Sequence, residues 1–191
     1  ENFEDFDKIK SKYNSKENNY YYTVSALLPH KNLKTLILLM KKLKEENNDL
    51  DKKLVITGVS GNDRSKINQL IHDLSLNKEV VFTGFISNEE RNTLYKNAKI
   101  FLFPSIFEGF GMPPIEAMML GTPVITTKET SLYEVTQGKA YYVNDPFDVD
   151  EWVNLIKMVE NNYTRKKYYF EEYDLHTICI KYLNLFEKVI K

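Results

Sequence analysis

The stretch EVVFTGFISNEERNTLYKNAKIFLFPS, residues 79–105, decides the fold because it places two short apolar runs on either side of a polar segment. Each run is rich in Val, Ile and Phe and is stopped by a glycine or a proline, a pattern that predicts a buried strand. Ser87, with Glu90 three positions later, forms a capping-box pattern and predicts that a helix begins between the strands. A strand, a helix and a second strand in this order predict a parallel pair joined by a right-handed crossover.

The same alternation of strand and helix patterns continues through most of the chain. Strands are predicted at 20–28, 52–58, 79–85, 99–105, 123–127 and 140–143. Helices are predicted at 32–49, 63–74, 87–98, 114–120, 132–136, 148–162 and 174–191, with Asn62 or Asp63 capping the second of them. Because short, continuously apolar strands alternate with helices, we predict an α/β fold with a Rossmann-like, doubly wound parallel sheet.

Composition limits the classes of protein and partner. The chain has 191 residues, of which 42% are hydrophobic and 28% charged, a balance typical of one globular domain. A net charge of −1 does not favour nucleic acid as a partner. No apolar run has the length of a membrane span, and no signal-peptide pattern is present. The single cysteine, Cys179, excludes an internal disulfide, is predicted to be a buried or half-buried thiol, and suggests a reducing cytoplasm.

In a doubly wound sheet, ligands bind beyond the carboxyl ends of the strands. We expect those ends to converge on one edge of the sheet, called the rim below. The rim is predicted to consist of 27–31, 57–61, 84–87, 104–112 and 126–130.

The most informative part of the rim is FPSIFEGFGMPPIEAMMLGTPVI, residues 103–125, which carries Glu108 and Glu116 eight positions apart. The glycines between them permit close approach of a ligand, and the proline pair suits a first helical turn. The start of that helix favours an anion such as phosphate, because it presents free N–H groups and the positive end of the dipole. The spacing therefore predicts one extended ligand, with a diphosphate at its centre and a hydroxyl-rich group at either end.

Glu116 has two interpretations at this point. We predict it in the first turn of the helix, where it could accept hydrogen bonds from a vicinal diol such as that of ribose. A glutamate in a first turn also stabilises the helix dipole without any ligand. The whole run, in which two glycines and a proline pair separate the two glutamates, favours the binding interpretation.

The segment EGFGMPPIEAMMLGTPVI, residues 108–125, closely resembles the E-x7-E motif region of retaining GT-B glycosyltransferases of the family 4 type. SALLPHKNLKTLI, residues 25–37, resembles the first strand, loop and helix of that family. The resemblance runs from about Tyr20 to the C-terminus and implies the C-terminal, donor-binding half of a GT-B enzyme. We therefore expect a linker or interdomain segment at 1–19, a nucleotide-sugar-binding domain at 20–172, and a C-terminal helix at 173–191 that crosses to an N-terminal domain absent from this chain.

The resemblance also implies roles for individual residues. Glu108 would be the catalytic carboxylate, in contact with the donor sugar near its reacting carbon. Glu116 would hold the ribose hydroxyls, and Lys31 would neutralise the donor diphosphate. The remaining donor-binding positions would be the backbone of Phe110, Gly111 and Met112 at the sugar and phosphate, Phe85 and Ile86 beside the base, and Gly58, with Thr57, at the flank of the pocket.

The chain departs from the family pattern in the loop after its first strand. Many members have glycine and arginine where this chain has Ser25 and Ala26, and that arginine helps to bind the diphosphate. Lys31 and the helix start are then the identifiable positive partners, with His30 and Ser25 as further candidates. A lysine on a surface is ordinarily only solvated, and a lone histidine ordinarily packs, so these assignments depend on the resemblance.

The resemblance implies a retaining transfer that needs no metal or other cofactor, with a UDP- or GDP-linked sugar as substrate. Retention by double displacement requires two carboxylates about 5 Å apart across the anomeric carbon. If Glu116 holds ribose it cannot be one of that pair, so we expect front-face attack beside the leaving diphosphate, stabilised by Glu108. The acceptor would be a glycan or lipid-linked glycan of a surface polysaccharide, bound by the N-terminal domain, and the full-length protein would associate peripherally with the cytoplasmic face of the membrane.

Two other functions remain open from the residues. The first is a non-catalytic nucleotide-sugar-binding module, which the missing arginine favours and which intact Glu108, Glu116 and Lys31 oppose. The second is a related GT-B enzyme such as a nucleotide-sugar epimerase; an α-glucan phosphorylase would need a cofactor-binding lysine environment that we do not find.

Overall fold

The computed structural model describes residues 2–47, 50–59 and 64–190. They form a six-stranded parallel sheet in the order β3-β2-β1-β4-β5-β6, flanked by helices, which confirms the predicted fold class. The strands are β1 (Tyr20–Val24), β2 (Lys53–Thr57), β3 (Val80–Gly84), β4 (Ile100–Phe103), β5 (Val124–Thr127) and β6 (Tyr141–Val143). The chain order reverses between β1 and β4, so the loops that follow these two strands lie at the switch point of the sheet.

Apart from the first, the helices of the described residues lie close to their predicted places. They are α1 (Phe6–Tyr13), α2 (Leu33–Glu46), α3 (Ser65–Asp73), α4 (Asn88–Asn97), α5 (Met112–Met119), α6 (Leu132–Val135), α7 (Val149–Asn162) and α8 (Leu175–Ile190), with 3₁₀ turns at Pro29–Lys31 and Glu171–Tyr173. The predicted cap of α3, Asn62 or Asp63, lies outside the described residues.

The sheet is buried on both faces, as its continuous apolar strands require. Successive residues of β1 show this, because Tyr20 and Tyr22 belong to one core cluster and Tyr21 to the other. The Tyr21 side contains apolar residues of α2 and α7, including the fully buried Trp152. The other side contains residues of α1, α4 and α5, and an aromatic group in which Tyr95 lies between Tyr22 and Phe101, 5.0 Å from each ring centroid. This aromatic group belongs to the same core cluster as the buried residues of α5.

Helix α1 was not predicted, because its few apolar residues are scattered among charged ones in a segment interpreted as a linker. Ile9 and Tyr13 of this helix are nevertheless buried against the domain. The Tyr13 hydroxyl donates to Glu90 Oε1 at 2.6 Å, and Lys12 Nζ donates to the same oxygen at 2.8 Å. At least residues 6–13 are therefore packed on the domain rather than extended.

The predicted cap of α4 is confirmed in its main contact. Ser87 Oγ accepts a hydrogen bond from the Glu90 backbone N–H at 3.1 Å. The Glu90 carboxylate, which the capping-box pattern would direct back to the helix start, instead binds Tyr13 and Lys12 of α1.

Helix α8 is present as predicted, and none of its residues is buried. More than half of the surface is exposed at Leu175, Tyr182, Leu183, Leu185, Phe186, Val189 and Ile190. The predicted burial of Cys179 is wrong: this thiol is exposed, because α8 packs so little on the rest of the chain. None of the described helices has both the length and the apolar character needed to cross a membrane.

Candidate functional site

The loops after β1 and β4 are joined by hydrogen bonds at the switch point. The His30 carbonyl oxygen accepts from the Ile106 backbone N–H at 2.8 Å and from Ser105 Oγ at 3.1 Å. The His30 ring packs edge-on against Phe107, with 6.4 Å between the ring centroids. His30, a candidate ligand from the sequence, therefore fixes the position of its neighbour Lys31 relative to Glu108 through its backbone.

Lys31 and Glu108 form an ion pair at the centre of the rim. Lys31 Nζ lies 2.5 Å from Glu108 Oε1, and the two side chains are 21% and 12% exposed. The Lys31 ammonium also lies 5.6 Å from the centroid of the Phe103 ring. Because both charges are largely withdrawn from water, each needs a partner of opposite sign, and a ligand that takes one of them must compensate the other.

The backbone of Glu108 is held by the loop that follows β5. Thr130 Oγ1 accepts from the Glu108 N–H at 3.0 Å and donates to the Glu108 carbonyl at 3.1 Å. Ser131 Oγ lies within hydrogen-bond distance of the Glu108 carbonyl, at 3.1 Å, and of the Phe110 carbonyl, at 2.8 Å. The sequence placed 126–130 at the rim but gave no role to these hydroxyls, because nothing in a single sequence pairs residues more than twenty positions apart.

Gly111 is required for the turn between the two glutamates. Its φ is +94°, a conformation that side chains disfavour, and an added Cβ would lie 2.6 Å from Leu132 Cδ2. This conformation starts α5 at Met112, two residues before the predicted Pro114. Pro113 follows as the second helical residue, where a missing N–H costs nothing, and no side chain caps this end. The N–H groups predicted to line sugar and phosphate, those of Phe110, Gly111 and Met112, belong to this turn.

The prediction that Glu116 lies in the first turn of α5 is wrong. Because α5 starts at Met112, Glu116 is its fifth residue, and the first turn contains no acidic residue. The dipole effect falls off within the first turn, so the interpretation of Glu116 as a simple dipole-stabilising residue loses its basis.

Glu116 is instead held by α4. Tyr95 Oη donates to Glu116 Oε2 at 2.9 Å, and Arg91 Nη2 lies 3.6 Å from Glu116 Oε1. Burial, followed by the charge of Glu116, raises the pKa of Tyr95 well above its ordinary value, so its hydroxyl remains a donor. Arg91 and Tyr95 were not predicted as site residues. Their spacing of four on a predicted helix places them on one face, but nothing in the sequence shows that this face meets α5.

Gly58 brings the ends of three strands together. Its φ is +91°, and an added Cβ would lie 2.7 Å from the Ser25 carbonyl oxygen, so the loop after β1 passes directly against it. The Gly58 N–H donates to the Gly84 carbonyl at 3.0 Å. Ser25 is buried and its hydroxyl bonds locally to the Ala26 carbonyl at 3.1 Å, so its side chain is used within its own loop.

The two residues predicted beside the base follow β3. Phe85 is 81% exposed and Ile86 is half-buried against the core. Within the described ranges 2–47, 50–59 and 64–190, no group of three or more His, Cys, Asp or Glu side chains is arranged to hold a metal ion.

Comparison with known proteins shows the family and the fold of this chain. The family model "Glycosyl transferases group 1" matches residues 5–174. The chain is 36% identical over 166 residues to the O-antigen chain mannosyltransferase RfbU of Salmonella typhimurium strain LT2, and this match covers 82% of the chain and 45% of that protein. The chain thus spans about half the length of this curated relative.

Two solved structures share the fold. Anabaena HepE in complex with UDP superposes with a TM-score of 0.68 at 22% identity, covering 81% of this chain and 42% of that one. The C-terminal domain of a group 1 glycosyl transferase, LpcC of Francisella tularensis, superposes with a TM-score of 0.62 at 23% identity, covering 75% of this chain and 76% of that domain. At these identities the likeness is evidence for the fold alone. Together with the match over residues 5–174, it shows that the chain belongs to the group 1 glycosyl transferases and has the fold of their C-terminal domain.

Proposed function

We propose that this chain binds a nucleotide-diphosphate sugar and, as part of a larger retaining glycosyltransferase, donates the sugar to a glycan or lipid-linked acceptor in surface polysaccharide synthesis. The observation that carries the proposal is the Lys31–Glu108 ion pair, which lies at the switch point beside the Gly111 turn. The name of the Salmonella relative supports a mannosyl donor, and the UDP in the Anabaena structure supports a nucleotide ligand.

The ion pair suits a ligand that carries both a diphosphate and a sugar. The diphosphate would take Lys31 as its counter-charge, and the open N–H groups of the Gly111 turn would add hydrogen bonds. Glu108, released from Lys31, would then face the sugar and stabilise positive charge as the nucleotide diphosphate leaves. Binding of the leaving group and exposure of the carboxylate are thereby coupled through one lysine.

Glu116 would bind the ribose and take no part in the chemistry. Its carboxylate is fixed to α4 by Tyr95, and 29% of the Glu116 side chain remains exposed. A double displacement would need Glu116 as the partner of Glu108 across the reacting carbon. We therefore propose front-face attack by the acceptor, with retention of configuration.

The test is a thermal-shift and calorimetric titration of this chain with UDP, GDP and ADP, repeated on Lys31→Ala and Glu116→Ala. We expect one of the three nucleotides to bind and to raise the melting temperature by mass action, which identifies the base. Both variants should bind that nucleotide more weakly than the unchanged chain does. The matched control is Lys34→Ala, which removes an exposed lysine three residues from Lys31. Equal affinities in Lys31→Ala, Lys34→Ala and the unchanged chain would contradict the proposed donor site.

A further inference from the structure

Glu116 is held by a residue of α4, Tyr95, that is itself fixed in the core. Tyr95 is fully buried, and its ring packs against Tyr22 and Phe101 with centroids 5.0 Å away in both cases. Its carbonyl oxygen accepts a hydrogen bond from Thr122 Oγ1 at 2.5 Å. The Tyr95 hydroxyl therefore has a fixed position, and so has the Glu116 oxygen that it contacts.

A carboxylate is a costly acceptor for a buried hydroxyl. Burying part of a charged group carries a larger desolvation penalty than burying a neutral amide or carbonyl, either of which would satisfy the tyrosine equally well. The choice is explained if the carboxylate has a second task outside the core. Glu116 keeps 29% of its side chain exposed, so part of it remains accessible from solvent.

The hydrogen-bond inventory of Glu116 leaves room for a diol. An ionised carboxylate has about four lone-pair positions. Tyr95 uses one of them on Oε2, and Arg91, whose Nη2 is 3.6 Å from Oε1, compensates charge without a short hydrogen bond. At least two positions remain for two adjacent hydroxyl groups.

Fixing the carboxylate beforehand strengthens such binding. A free glutamate side chain loses rotamer entropy when it is immobilised. A side chain that is already held by the protein loses less on binding, which is the general basis of preorganisation.

We propose that Tyr95 is a positioning residue, which orients the Glu116 carboxylate to accept both hydroxyl groups of the donor ribose, with Arg91 as its charge partner. This inference rests on the proposed function, because it assumes that Glu116 binds the ribose. Tyr95 does not touch the ligand and acts through Glu116.

The test compares each nucleoside diphosphate with its own 2′,3′-dideoxy analogue. UDP, GDP and their dideoxy analogues are titrated into the same 191-residue chain, and the ratio of dideoxy to ribo dissociation constants is the measured quantity. The unchanged chain should prefer the ribonucleotide by at least tenfold, since hydrogen bonds to a charged group contribute about 1.5–3 kcal/mol. Tyr95→Phe keeps the ring and removes the hydroxyl, and should lower the ratio by about three- to tenfold, the effect of one lost hydrogen bond. Affinity for the dideoxy analogue should stay unchanged.

Tyr21→Phe is the matched control. Tyr21 is also buried, and its hydroxyl also donates to a carboxylate, Glu160 Oε1, at 2.9 Å, but it lies on the other face of the sheet. It should leave the ratio unchanged. A purely structural role for Tyr95 would weaken the ribo and dideoxy ligands alike and keep the ratio constant, which would overturn the proposal.

Glu116→Gln separates this inference from the proposed function. If Glu116→Gln loses the ribose preference and Tyr95→Phe keeps it, Glu116 binds ribose without help from Tyr95 and only the present inference fails. If Glu116→Gln itself keeps the full preference, the ribose role of Glu116 fails, and the inference fails with it.

Discussion

The two glutamates of the rim are eight residues apart in the sequence, yet the protein holds them in opposite ways. Glu108 lies in a loop, and its charge partner is Lys31, a residue that the proposed ligand also needs. Glu116 lies on a helix, and its partner is Tyr95, a fully buried core residue that no ligand can reach. The first carboxylate can exchange its partner when a ligand arrives, whereas the second stays where the core puts it. A group that acts during the reaction and a group that only holds substrate would be expected to differ in this way.

The largest effect that tests this division is expected from Glu108→Gln in a protein that also contains the acceptor domain. Loss of a stabilising charge at a reacting centre lowers rates by about 10²–10³-fold. We expect sugar transfer to fall by that factor while nucleotide binding persists, measured as product formation at saturating donor. Glu116→Gln is the comparison and should act mainly through donor affinity. If Glu108→Gln abolished transfer and nucleotide binding together, the two carboxylates would not have separate roles.

In the turn that separates the glutamates, an added methyl group should destabilise the protein at Gly111 but not at Gly109. Gly111→Ala forces a side chain into φ +94° and against Leu132, whereas Gly109 has an ordinary φ and no atom within 4 Å of its ideal Cβ. Left-handed strain costs about 1–2 kcal/mol and overpacking about 1–3 kcal/mol. The free energy of unfolding in urea should therefore fall by about 2–5 kcal/mol in Gly111→Ala. Gly109→Ala is the control and should change the free energy of unfolding little. If Gly111→Ala lost no more stability than Gly109→Ala, Leu132 and the backbone would have to relax around the new methyl group.

Substitutions of Lys31 and of Glu108 should change the affinity for a nucleoside diphosphate in opposite directions. Lys31→Ala removes a charge-assisted contact of about 1.5–3 kcal/mol, so the nucleoside diphosphate should bind at least tenfold more weakly, whereas the nucleoside without phosphates should be unaffected. Glu108→Gln removes the competitor for Lys31 and should tighten diphosphate binding by at least fivefold, because an ion pair of about 1 kcal/mol or more no longer has to be broken. Isothermal titration of each variant with the nucleoside diphosphate measures both changes in affinity. Weaker binding in Glu108→Gln would mean that the carboxylate helps to hold Lys31 in place.

Much of this site could be predicted from the sequence. Glu108, Lys31 and the strand ends were placed at the rim, because apolar strands, their glycine and proline stops and the E-x7-E resemblance are local signals. The hydrogen bond from Tyr95 to Glu116 could not be predicted, since it depends on which face of α4 packs against α5. The start of α5 was misplaced because Pro113 and Pro114 fit several positions of a first turn, and only the left-handed Gly111 selects one. Helix α1 was missed because its burial depends on contacts with Glu90, far along the chain.

The smallest effect concerns the helix that holds Glu116. Ser87→Ala removes the cap of α4 and should lower the free energy of unfolding by about 1 kcal/mol. Because Tyr95 lies in the third turn and is held by the aromatic core, the preference for ribose over dideoxyribose in the nucleotide titration should not change. Ser87→Asp is the matched variant, since aspartate also caps helices, and it should restore the stability. A fall in the ribose preference with Ser87→Ala would show that Glu116 is positioned by α4 as a whole rather than by the buried tyrosine. The two glutamates would then differ because one lies on a helix and the other in a loop, and not because one is held by the core and the other by a residue that the ligand also binds.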